Sequence, residues 1–308
     1  MPASMGYSAS LLLLSSLVSS TLGSALSFNR QACQRPTSNP LAGCPSNTLL
    51  VGQNYTSKHS RQVVFSTIQS AVESIANCST PYNILILPGT YHEQVNVSTS
   101  APLTLLGQTS QPNSRDGNGV VVTWSLATGN KVNTFDNAYT STLTVAPSLQ
   151  AALTGSGPTG YNVSADQKFG TTDFRAYNID FKNEWNNYSD GPALALSIGY
   201  ANTGFYFCGW YSYQDTIYIG KLGNAYFYKN EIAGQTDFLY GFGTGWIQSS
   251  LLSLRGCGGG ITAWKGSNTT FVNKYGIYIH DSQALKANSS LNITGKCALG
   301  RPWVSLTM

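Results

Sequence analysis

Two carboxylates in this chain stand in strongly apolar company. Tyr213-Gln214-Asp215-Thr216-Ile217-Tyr218 and Thr236-Asp237-Phe238-Leu239-Tyr240-Gly241 each set an aspartate among aromatic and aliphatic residues, in a sequence with only 13 Asp and Glu. The two lie 22 residues apart. If one structural coil takes about that many residues, they stack on one stripe, roughly 5 Å apart by strand spacing. Carboxylates that close do not both ionise readily, so one pKa rises while the other falls. Such a pair supplies a carboxylate nucleophile beside a protonated acid. Gln214 adds an amide donor suited to an oxyanion. Arg301, in Leu299-Gly300-Arg301-Pro302-Trp303, offers one carboxylate a bidentate contact, and Trp303 offers a face to a sugar ring. Taken singly, either aspartate reads first as a residue that ends a strand and caps a turn.

Other chemistries find less support. No Gly-x-Ser-x-Gly stands in a nucleophile-elbow context, and His59, His92 and His280 sit in no recognisable catalytic setting. There is no His-Glu-x-x-His, no Cys-x-x-Cys and no clustered acidic loop, so no metal site is expected. Phosphate-binding glycine motifs are missing too. Lys and Arg number 17, which leaves a net charge of +4 without basic runs. Nucleic acid is therefore not an expected partner.

The elements that must carry these residues are mostly short strands. The segment 26–62 is rich in Pro, Ser and Asn and is expected to be irregular. Ser66-Thr67-Ile68-Gln69 predicts a capping-box start, and Phe65, Ile68, Val72 and Ile75 recur at helical spacing. Apolar runs at 82–87, 95–97, 103–106 and 120–124 predict strands. Further runs at 141–145, 174–181, 193–197, 205–210, 225–229, 247–254 and 270–279 are separated by Gly and Asn. Several repeat at 20–24 residues, the signature of a solenoid. No Leu-x-x-Leu-x-Leu ladder appears, so an all-β parallel β-helix fits better than a leucine-rich repeat, and on periodicity alone it stands level with a β-sandwich. Inward positions are expected to be apolar or aromatic, and turns to carry the sequons.

Only 10% of residues are charged, against roughly 25% in an average globular protein. Hydrophobic residues make up 42%, which excludes intrinsic disorder. Residues 11–18 form an apolar stretch too short to span a bilayer, which needs about 20 residues. Small residues follow it, so 1–25 are expected to be a signal peptide and 26–308 one β-helical domain. Eight Asn-x-Ser/Thr sequons, at Asn54, Asn77, Asn96, Asn162, Asn187, Asn268, Asn288 and Asn292, fit a secreted, extracellular glycoprotein. Six cysteines suit an oxidising compartment. Cys33 and Cys44, close in sequence, are the one pair assigned in advance.

At this point the motifs join into a resemblance. Phe65-Ser-Thr-Ile-Gln-Ser-Ala-Val72, Gly89-Thr-Tyr-His-Glu93, the Tyr213–Tyr218 and Asp237–Gly241 boxes and Leu299–Trp303 occur in the order found in pectin methylesterases. The chain resembles that family, and its fungal members more than its plant members, from about Phe65 onward. The resemblance implies a right-handed parallel β-helix that hydrolyses galacturonate methyl esters to methanol and pectate. It also implies Asp237 as nucleophile, Asp215 as acid and then base, Gln214 as oxyanion donor, Arg301 as the partner of Asp237, and Trp303 as the lining of a sugar subsite. No metal or organic cofactor is needed. Methyl-esterified homogalacturonan is the expected partner, with no nucleic acid or membrane, and the chain is expected to act as a monomer.

Three departures stand against the pattern. Pro192 occupies a position where the family carries a second oxyanion-donating Gln, and losing one such donor costs about 100–1,000-fold in rate. Gln235, Leu239 and Tyr240 around the nucleophile are unusual for the family. The chain also ends seven residues after Arg301, where relatives continue, so further C-terminal coils are expected to be missing. The rival readings are a catalytically silent β-helix that binds wall polysaccharide, and a pectin-depolymerising β-helix. The second lacks an adjacent Asp-Asp pair, a Gly-His-Gly or a calcium-like acidic cluster.

Overall fold

A computed structural model describes residues 29–56, 63–129, 135–154, 164–265 and 275–303. From Tyr82 onward each turn of the chain contributes one strand to each of three parallel sheets, and the turns stack as a right-handed parallel β-helix. The first sheet runs through Val64–Phe65, Thr48–Val51, Tyr82–Ile86, Leu103–Gly107, Phe174–Tyr177, Asn202–Tyr206, Asn224–Tyr228, Thr244–Gln248 and Gly276–His280. The second runs through Gly89–His92, Val120–Trp124, Ile179–Asn183, Gly209–Tyr211, Glu231–Gly234, Leu251–Leu254 and Gln283–Lys286. The third holds Val95–Val97, Leu143–Val145, Leu196–Ile198, Ile217–Ile219, Leu239–Gly241, Gly260–Trp264 and Ala298–Pro302.

Strand alternation sends every second side chain inward, where the three sheets enclose one core. Phe181 stacks on Trp210 with ring centroids 4.7 Å apart, and Phe205 packs on Phe227 at 5.0 Å and edge-on to Trp210 at 4.9 Å. The indole N–H of Trp210 donates to the side-chain oxygen of buried Asn230, whose amide in turn donates to the carbonyls of Phe205 and Tyr228. Buried polar groups placed this way do not weaken the core, because each finds a partner.

Several expected boundaries shift. The segments 174–181, 205–210 and 247–254 are each two strands, because Asn178, Phe207 and Ser249 adopt φ of 56°, 57° and 50° and bend the chain from the first sheet into the second. The helix is Ile68–Ser74, and its N-cap is Thr67, whose hydroxyl accepts from the Ser70 N–H, one residue later than expected. The carboxylate that completes the cap comes from far along the chain: Glu93 accepts from the Ile68 and Gln69 N–H groups at 2.8 Å each. A local pattern cannot reveal such a partner.

The segment 26–62 is not wholly irregular, since its described part contains the helix Arg30–Gln34 and the strand Thr48–Val51. Cys33 and Cys44 are joined as expected, and Cys257 is joined to Cys297. The described sequons are all exposed, but Asn96 lies in a strand rather than a turn. The expected signal peptide, Asn162, Asn268 and part of the strand expected at 270–279 lie outside the described residues. Among the described residues, no helix is long and apolar enough to cross a membrane.

Candidate active site

The corner between the second and third sheets positions both aspartates. After Gly209–Tyr211 the chain passes through Ser212 to Thr216 before entering the third sheet at Ile217. One coil later, Thr236 pairs in parallel with Gln214 and Leu239 with Ile217, so Asp237 falls in register with Asp215. The coil length of 22 residues thus stacks the two, as the sequence spacing led one to expect. The Asp215 N–H donates to the Thr236 carbonyl and the Asp237 N–H to that of Gly260. Both aspartates hold positive φ, 58° and 47°. That left-handed bend costs most residues about 1–2 kcal/mol, and aspartate tolerates it better than most.

The two carboxyls have different surroundings. Asp237 is 4% exposed and accepts from Arg301 Nε at 2.9 Å on one oxygen, while Arg301 Nη2 binds the other. The Gly260 N–H also donates to it, at 3.1 Å. Gly259 lies against the same oxygen at φ 117°, where a Cβ would come within 2.8 Å. Arg301 reaches the site because Ala298–Pro302 adds to the third sheet with Arg301 beside Ala263, and the Cys257–Cys297 bond ties that strand's start to the loop preceding Gly260. Asp215, by contrast, has no ion-pair partner among the described residues. Burial first, then the charge of Asp237, push its pKa well above the usual carboxylate range against the opposing pull of Arg301. The pair is one ion-paired carboxylate next to one neutral acid, the division of labour that general acid catalysis requires.

Gln214 joins them with its side-chain oxygen already engaged. That oxygen accepts from Ser189 Oγ at 2.7 Å and the Gly191 N–H at 3.2 Å. The amide is thereby oriented, and its Nε2 stays available as a donor. Trp303 stands at the edge of the same face, with its ring edge-on to Tyr240 at 5.1 Å. All five residues singled out in the sequence therefore fall on one face of the solenoid. Pro192 lies close by, its carbonyl accepting from the Thr128 N–H.

The residue that sequence reasoning missed is Asn137. Its Nδ2 lies 3.3 Å from Asp215 Oδ2 and 3.3 Å from the Tyr240 hydroxyl. It arrives on an excursion between Val120–Trp124 and Leu143–Val145, held by the Asp136 side chain, which accepts from the N–H groups of Ala138 and Thr154. No motif marked it, since it is 78 residues from Asp215. Tyr240, one of the departures from the family pattern, supplies its second acceptor. Among the described residues, no three His, Cys, Asp or Glu side chains are grouped to hold a metal ion.

Comparisons with known proteins bear on this geometry. A family model described as pectinesterase matches residues 150–307. Probable pectinesterase A of Aspergillus niger is 29% identical over 260 residues, covering 84% of this chain and 66% of that protein. Pectinesterase A of Emericella nidulans is 30% identical over 287 residues, 92% of this chain and 74% of that one. The chain thus spans about two thirds of the length of the curated relatives it matches. Among solved structures, the pectin methylesterase from Aspergillus niger superposes with a TM-score of 0.65 at 27% identity, over 84% of this chain and 73% of its own. A pectin methylesterase in complex with a hexasaccharide gives 0.59 at 26% identity, over 83% and 70%.

Proposed function

We propose that this chain, which belongs to the pectinesterase family, is a secreted enzyme that hydrolyses galacturonate methyl esters of cell-wall pectin to methanol and pectate. The observation that carries the reading is the in-register pair, ion-paired Asp237 beside neutral Asp215, with an oriented amide at Gln214. An Asp237 oxygen attacks the ester carbonyl carbon, and the carbonyl electrons move onto oxygen, where Gln214 Nε2 donates to them. As the carbonyl reforms, the bond to the methoxy oxygen breaks. Asp215 gives that oxygen its proton, and methanol leaves. Asp215, now a carboxylate, takes a proton from water, whose oxygen attacks the acyl carbon and displaces Asp237. Arg301, bound to both oxygens of Asp237, aims that carboxylate throughout, and Trp303 lines the sugar subsite. No step requires a metal or an organic cofactor.

Pro192 favours a second reading, a β-helix that binds wall polysaccharide without turnover. The retained Gln214, Asp215, Asp237 and Arg301 answer it, with Arg301 paired to Asp237 and the Gln214 amide oriented beside the dyad. The deciding experiment is methanol release from highly methylated pectin by the purified mature protein beside Asp237→Asn. Release that the substitution abolishes is expected. A folded wild-type protein that binds pectin and releases no methanol would leave only the binding role, and shortened polymer would point to a depolymerase.

A further inference from the structure

Lys265 is buried, 3% exposed, directly after the strand Gly260–Trp264, and its N–H donates to the Gly241 carbonyl. Its ammonium lies 3.9 Å from the centre of the Trp303 ring and 5.3 Å from that of Phe242. At such distances the cation is attracted by the ring face. Tyr240 meets the same indole edge-on. One face of Trp303 is therefore taken by a lysine that the reaction proposed above does not use, and the ring is gripped from two sides.

Resting on the pectinesterase reading for the class of ligand, we propose that Lys265 is a positioning residue: its charge fixes the indole plane so that the opposite face of Trp303 is presented to a galacturonate ring. Lys265 acts through Trp303 rather than on the ester. Its charge is also conditional, since burial lowers its pKa to about 8 against the opposing field of Asp136. Below that pH the ammonium holds the ring, and above it the hold is lost, so affinity for polymer falls as pH rises from about 7 to 9. Among the described residues, the other titratable groups on this face include Asp136 from the excursion, Tyr218 and Tyr240 from the third sheet, and beyond them Asp215, Asp237 and Arg301. Burial raises both tyrosine pKa values well above their usual value, so neither titrates in that window.

The test is calorimetric binding of a fully methyl-esterified hexagalacturonide at pH 6.5 and 9. Every protein carries Asp237→Asn so that ester is not consumed. Lys265→Met is expected to bind about fivefold more weakly at pH 6.5 and to lose the dependence on pH. Lys265→Arg, charged throughout, is expected to keep both affinity and fold and to bind equally at the two values. In a Trp303→Ala background, Lys265→Met is expected to change nothing further. The proposal is overturned if Lys265→Met binds like its parent with the same fall at pH 9, if Lys265→Arg shows that fall, if the effect persists without Trp303, or if the parent binds no oligosaccharide. Failure of the esterase reading shows elsewhere, as wild-type protein that releases no methanol.

Discussion

Asp215 and Asp237 share a residue type, a backbone bend and a register, and differ in what surrounds them. Arg301 and the Gly260 N–H converge on Asp237 and leave Asp215 with burial and a neighbouring charge. The raised pKa of Asp215 has a consequence for stability whose sign is fixed. In the unfolded chain this carboxyl ionises near pH 4, whereas in the fold it keeps its proton. Between the two pKa values, the unfolded state is favoured by about 1.4 kcal/mol for each pH unit gained. Stability contributed by neutral Asp215 is therefore complete below about pH 4 and is lost as pH climbs to the folded pKa. Asp215→Asn removes the dependence. Thermal unfolding of that variant is expected to match wild type near pH 3.5 and to exceed it by a margin that widens as pH rises above about 4, while methanol release falls. A margin that does not change with pH would mean that Asp215 is ionised in the fold.

At the scale of elements, the strands act as a ruler. The period of 22 residues was readable as the offset of two acidic boxes, and it stacks them because parallel pairing advances coil by coil without slippage. The bends between first and second sheets were not readable. Their left-handed position is filled by Asn178, Phe207, Lys229, Ser249 and Asp281, which share no residue type, so stacking dictates the conformation. What fixes the stack is the interior, where Phe205 touches Phe174, Trp210 and Phe227. Phe205→Ala leaves a void that neighbouring coils cannot close, a loss of about 3–5 kcal/mol. We expect the thermal midpoint to drop by about 10 °C. A drop of a degree or two would show that adjacent coils collapse into the space.

At the scale of the whole molecule, the described sequons are open to solvent, and Asn187 comes nearest the candidate site, two residues before the Ser189 that donates to Gln214. Asn54, Asn77, Asn96, Asn187, Asn288 and Asn292 are exposed, and none contacts Asp215, Asp237 or Arg301. Protein made through a eukaryotic secretory pathway is expected to run above the mass of its chain, to return to it after endoglycosidase treatment, and to keep releasing methanol. An unshifted mass would remove the secreted-glycoprotein reading. Activity lost with the glycans would show that they support the fold.

By itself the sequence determined the solenoid, its coil length, the two aspartates on one stripe, and Gln214, Arg301 and Trp303 as their company. Each of these is carried by a contiguous motif or a fixed period, and a parallel stack converts sequence offset directly into spatial register. The tertiary structure supplied the physical cause of the difference between them: Arg301, 64 positions along the chain from Asp237, pairs with that carboxylate, while burial raises the pKa of Asp215. It alone placed Glu93 on the helix N-terminus, Asn137 on Asp215 and Lys265 on Trp303. Those partners come from excursions and coil ends of irregular length, where no period relates distance along the chain to distance in space.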